Sequence, residues 1–251
     1  PAGTGRASAL LGAPVFGGGG DQAAQAVALN VTGPDVLGIS VGTSGVAFQA
    51  LSHGRAGAFR HAVPNTWLAL DSTHAAGLAL SWWVSLVGAG YDVFSIGSDQ
   101  PSRAIPVFLP YLQGQRVGHG APGALVGLRA SHQAAEIAEA VIEGVAMELA
   151  RLVRSVTGGV IPDGPISIGG RAGSLPALRA LLAAALDRPI TYLARDSAFG
   201  AAAIAAQGAG WFDEFSANDA SRPVTSDPDQ GLTQRLESRA AVYDDLLRRL
   251  A

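Results

Sequence analysis

The apolar positions fall into short runs broken by glycine and into longer stretches of helical period. Val15 and Phe16 lead a strand that ends in Gly17–Gly20, and the alanine-rich stretch from Asp21 to Asn30 predicts a helix. Val36–Val41 and Val46–Leu51 read as a hairpin around a four-residue Gly42–Gly45 turn. Phe59–Val63 and Trp67–Leu70 are two further short strands, split by Pro64-Asn65. Ser72 or Thr73 is placed to cap a helix over His74–Leu86, and a loop covers Gly88–Ala104. Pro106–Leu112 reads as a buried strand, and Gly114–Gly123 as irregular. Ser131 then caps a long helix, His132–Val156. Its apolar stripe is Ile137, Val141, Val145, Leu149, Leu152 and Val156, with Glu136, Glu139 and Glu143 lying off it. Gly158-Gly159 ends that helix. The remainder predicts a strand at Pro165–Ile168, a helix over Leu175–Leu186 and a strand at Pro189–Tyr192. A small-residue helix over Ala198–Ala209, a polar loop over 216–230 and a helix over Leu232–Leu250 complete it.

Several consecutive strands followed by alternating strands and helices argue one mixed α/β domain. At 48% hydrophobic and 15% charged residues the chain is globular, and its 251 residues can bury one large core. A net charge of −3 without a basic run speaks against nucleic acid as a partner. No apolar run is long enough to span a membrane, so a cytoplasmic protein is the expectation. The absence of cysteine removes thiolate chemistry and cysteine-held zinc. The five histidines lie at 53, 61, 74, 119 and 132, with no pair at helical ligand spacing, so no metal site is expected in this chain.

All seventeen basic residues are arginine. Without lysine, a Walker A loop and Schiff-base chemistry are both excluded. If the chain handles phosphate, backbone N–H groups, hydroxyls, arginine or a metal must do it. Three stretches suit that role. Gly17–Gly20 lets a ligand approach the backbone, and Asp21 follows at a helix start, where it suits a general base for a hydroxyl. An aspartate there is also what a plain N-cap needs. Gly42-Thr43-Ser44-Gly45 is either an ordinary turn or a clamp that presents N–H groups and the Thr43 hydroxyl to phosphate. Gly169–Gly173 is a strand-to-helix turn or a flat platform for a nucleotide; it does not match the dinucleotide fingerprint. Trp82-Trp83 reads as core packing.

Taken in order, these residues resemble the C-terminal domain of the FGGY family of carbohydrate kinases, over about residues 12 to 210. Val15–Ala24 looks like the family's catalytic-aspartate segment, and Val36–Gly45 like its strand and Gly-Thr-Ser-Gly turn. Phe108–Leu112 with Gly114-Gln115-Arg116 is similar to another family segment. So are Gly123–Leu128 with Ala140–Val145, Gly169-Gly170 with Ser174, and Gly200–Ala202. Gln115, Pro122 and Ala177 depart from the usual residues. The resemblance implies a ribonuclease H-like, actin-type ATPase fold with a mixed sheet flanked by helices. It implies phosphorylation of a sugar hydroxyl, such as that of xylulose, with ATP and Mg²⁺. It makes Asp21 the base, with Gln22 beside it at the sugar. It puts Gly42, Thr43, Gly77, Ser81, Gly169, Gly170 and Ser174 at ATP. It further implies that the family's N-terminal domain is missing from this chain, that the isolated chain is inactive, and that a homodimer can form. A non-catalytic nucleotide-binding sensor or assembly module is the alternative.

Overall fold

A computed structural model describes residues 6–10, 13–34, 36–97, 105–114, 122–163, 166–212, 215 and 223–250. Alternation of side chains along β3 (Leu37–Val41) and β4 (Gly45–Leu51) sets the architecture. Leu37, Ile39, Val41 and Ala47 face one core, while Phe48 and Ala50 face another. A sheet that is apolar on both faces needs helices on both, and it has them.

β3 and β4 pair antiparallel, and β6 (Trp67–Thr73) pairs antiparallel with β4. The two-residue β5 (Phe59–Arg60) borders β6. On its other side β3 pairs parallel with β9 (Ile166–Gly169), and β9 pairs parallel with β10 (Ile190–Tyr192). β11 (Val224–Ser226) closes that edge antiparallel, so the strand order is β11-β10-β9-β3-β4-β6-β5. Two hairpins stand apart from this sheet: β1 (Arg6–Leu10) with β2 (Ala13–Phe16), and β7 (Val107–Leu109) with β8 (Ala124–Val126).

The larger core lies under α2 (Gly77–Val87), α3 (Ala134–Thr157), α4 (Pro176–Leu186) and α6 (Gln230–Leu250). On the opposite face lie α1 (Asp21–Ala28) and α5 (Ser197–Gly208), which pack tightly on each other. A Cβ at Gly200 of α5 would lie 1.8 Å from the Ala24 carbonyl oxygen, so only glycine permits this helix crossing. Arg195, just before α5, donates to the Asn30 side chain at 3.0 Å and fastens the C-terminal end of α1.

The sequence expectations need several corrections. The hairpin turn holds three residues, because Gly45 pairs with Val41 and belongs to β4. Neither Ser72 nor Thr73 caps α2: both pair with β4, and the helix begins only at Gly77. Gln133, not Ser131, precedes α3, and its N–H donates to Glu136 Oε2 at 2.6 Å. Glu139 and Glu143 are buried, because α6 covers the face of α3 that reads as exposed. Arg235 and Arg239 of α6 pair with them there. The buried Glu148 is met by Tyr111 Oη at 2.6 Å and Arg151 Nε at 2.8 Å. The polar 216–230 loop contains β11. Trp83 is core as expected, while Trp82 is 38% exposed and stacks on Phe108. Gln115 lies outside the described residues; Ala177 is buried in α4.

Candidate active site

The C-terminal ends of β3 and β9 lie side by side, Ser40 opposite Gly169. β9 ends in Gly169, and Gly42 directly follows β3. Gly170 has φ +84°, and a Cβ there would lie 2.5 Å from the Val41 carbonyl oxygen. Both facts require glycine, and together they hold the 169–174 segment against the start of the Gly42–Ser44 turn.

α2 fixes that turn from the other side. Its first residues lack a side-chain cap. Their orphan amides are taken by the turn itself: Gly77 N–H donates to the Gly42 carbonyl at 3.1 Å and Leu78 N–H to the Thr43 carbonyl at 3.0 Å. Peptide units are planar and trans, so the N–H groups of Thr43 and Ser44 point the opposite way, out from the exposed turn. The helix start therefore sets the direction of the two amides.

Asp21 is the first residue of α1, with Gly20 rather than the aspartate at the N-cap. Its Oδ1 accepts from the Gln22 backbone N–H at 2.8 Å, and Gln22 Nε2 lies 3.4 Å from Oδ2. The carboxylate is exposed. Its position in the fold follows from the neighbours of α1. Gly38, early in β3, abuts Val31 and Leu29 beyond the helix end; Gly169, opposite Ser40, abuts Leu29 and Gln25. Ascending β3 thus means moving back along α1 towards Asp21. The acid stands on the same edge of the sheet as the Gly42–Ser44 turn.

The structure brings Gly42, Thr43, Gly77 and Gly170 together in one surface at the end of β3, with Gly169 buried behind it opposite Ser40. It places Asp21 and Gln22 on the same edge, on a separate helix. Ser81 and Ser174 flank the surface, with their hydroxyls turned to local carbonyls: Ser81 Oγ donates to Leu78 O at 2.9 Å and Ser174 Oγ to Arg171 O at 2.8 Å. Each can still accept a hydrogen bond. Among the described residues, no three or more His, Cys, Asp or Glu gather in a metal-binding group.

Sequence reading passed over Arg179, which looks like an interruption of an apolar helix. It is 5% exposed and reaches back from α4 to donate to the Gly173 carbonyl at 3.0 Å and the Ser174 carbonyl at 2.6 Å. A lone arginine in an apolar stripe, five or six residues after a glycine turn, was the available signal.

The model of the FGGY family of carbohydrate kinases, C-terminal domain, matches residues 37–209. The xylulose kinase of Escherichia coli (strain K12) is 37% identical over 175 residues, which cover 64% of this chain and 36% of that protein. The xylulose kinase of Staphylococcus epidermidis (strain ATCC 12228) is 33% identical over 214 residues, or 79% of this chain and 43% of that protein. The chain therefore spans less than half the length of these relatives. The crystal structure of a xyloylose kinase from Brucella ovis matches with a TM-score of 0.83 at 27% identity, over 95% of this chain and 52% of that one. The fold is that of the actin-like sugar kinases.

Proposed function

Because the chain belongs to the FGGY family of carbohydrate kinases as a C-terminal domain, we propose that it forms the nucleotide-side half of an ATP-dependent sugar kinase. The acceptor is a hydroxyl of a ketopentose such as xylulose, the compound in the names of its relatives. An N-terminal FGGY domain supplies the facing half of the cleft. Both reactants are cytoplasmic metabolites, which fits a cytoplasmic enzyme.

One observation carries the reading: the start of α2 consumes the Gly42 and Thr43 carbonyls, so planar trans peptide units turn the amides of Thr43 and Ser44 the other way. Such a pair, with the Thr43 hydroxyl, suits phosphate oxygens in a chain that has no lysine. The nucleoside part then runs over Gly77 and Ser81 on one side and Gly169, Gly170 and Ser174 on the other. Asp21 accepts the proton of the sugar hydroxyl as it attacks the γ-phosphorus, and Gln22 contacts the sugar while orienting the carboxylate. Magnesium bound with the nucleotide would supply charge neutralisation for the transfer. Among the described residues no three His, Cys, Asp or Glu gather to hold it. The non-catalytic sensor is not favoured, since the relatives carry kinase names.

The test is ADP release by the full-length protein across a panel of ketoses and polyols. Turnover on a ketopentose supports the reading. ATP binding with no sugar-dependent turnover contradicts it.

A further inference from the structure

We propose that Arg171 and Tyr91 close the base end of the nucleotide groove, with the Arg171 guanidinium stacking on the purine. The inference rests on the nucleotide site proposed above and adds a contact to it.

Two segments leave the C-terminal end of β3 and come together again. One is α2, which starts at the Gly42–Ser44 turn and is followed by Tyr91 in a short 3-10 turn, Tyr91–Val93. Its eleven residues span roughly 16 Å, the scale of an extended nucleotide. The other is the 169–174 segment, which starts where Gly170 abuts Val41. They meet where the Arg171 guanidinium carbon lies 5.2 Å from the centre of the Tyr91 ring. The Arg171 side chain thus runs from the start of one wall proposed for the nucleoside to the far end of the other.

The state of Arg171 fits a ligand contact. It is exposed. Elsewhere Arg151, Arg188, Arg235, Arg239, Arg248 and Arg249 all meet carboxylates. Among the described residues none pairs with Arg171, whose contact is the face of a ring. A guanidinium with an aromatic ring on one face can take a second flat π-system on the other. Its backbone is held on both sides, by Gly170 against Val41 and by Arg179 on the Gly173 and Ser174 carbonyls. The guanidinium is directed at Tyr91, beyond the far end of α2 from the Gly42–Ser44 turn. That makes it a base contact rather than a phosphate contact.

The experiment is calorimetric titration of the full-length protein with ATP, adenosine and inorganic tripolyphosphate, with thermal unfolding of each variant as a control. Arg171→Ala is expected to weaken ATP and adenosine about tenfold, the scale of one lost stacking contact, and to leave tripolyphosphate unchanged. Arg171→Lys should not restore either, because an ammonium is not planar; Tyr91→Phe should be neutral. Unchanged adenosine affinity in Arg171→Ala overturns the proposal. So does rescue by lysine with weakened tripolyphosphate in the alanine variant, which marks a phosphate contact. If Thr43→Ala weakens tripolyphosphate while Arg171→Ala leaves adenosine untouched, the nucleotide site stands and this contact falls. If the wild-type protein binds no ATP, both fall.

Discussion

Gly77 lies against the carbonyl of Gly42: its amide donates to that oxygen at 3.1 Å, and a Cβ on Gly77 would come within 2.1 Å of it. The same absence of a side chain lets α2 reach the turn and lets the turn aim its amides outward. Gly77 thus has a structural reason to be glycine before any nucleotide is considered.

Gly77→Ala is therefore expected to push α2 off the turn and to cost about 1–3 kcal/mol. ATP affinity should fall with it. Gly33→Ala is the control, since a Cβ there meets nothing within 4 Å and its φ is not positive. It should be neutral or slightly stabilising. Thermal unfolding with ATP titration of both variants checks this.

Gly200→Ala should act on Asp21 rather than on the Gly42–Ser44 turn. The new methyl would drive α5 against the Ala24 carbonyl and displace α1, which carries Asp21. A loss of about 3 kcal/mol in stability is expected. Sugar-dependent turnover of the full-length protein should fall further than ATP affinity.

Much of this was legible in the sequence, for identifiable reasons. The order of strands and helices follows from local patterns, and glycine marks the chain wherever backbones touch, as at Gly170 and Gly200. Features set by distant pairing were not legible. β6 extends through Thr73 because it matches the length of β4, so the expected cap residues became strand. Val224–Ser226 has too few residues for any periodicity and becomes a strand only beside Ile190–Tyr192. Glu139 and Glu143 lie off the apolar stripe, and only α6 reveals that they are buried. In the candidate site, the interlock of Gly42 with Gly77, across most of a sheet, was not legible.

The junction of α3 and α6 makes a pH-dependent prediction. Burial pushes the Glu143 carboxyl up, while Arg239 and then Arg235 pull it back. A raised folded-state value contributes stability below the ordinary glutamate range, and that contribution is lost as pH rises. Arg239→Ala removes the main counter-charge and should cost about 3 kcal/mol near neutrality, and less at pH near 5. Glu143→Gln should be milder at neutral pH. Denaturant unfolding across pH separates the two variants.

His61 titrates in the opposite sense. It is 7% exposed, its Nε2 donates to the Val31 carbonyl at 2.7 Å, and burial lowers its pKa from 6.5. A lowered value means stability that is present above pH 6.5 and lost as pH falls, because the unfolded chain takes up the proton first. His61→Gln should flatten the melting-temperature profile between about pH 6.5 and pH 5, at some cost to stability throughout.

The most direct test of the whole account is Asp21→Asn in the full-length protein, read as sugar-dependent ADP release beside ATP binding. Among the described residues the exposed carboxylate meets only the neighbouring Gln22, so folding should be unaffected. Turnover should fall by at least about a hundredfold, the lower range for loss of a general base, with ATP affinity unchanged. Near-wild-type turnover would contradict the assignment of Asp21 as the base and, with it, the placing of the sugar at this edge of the sheet.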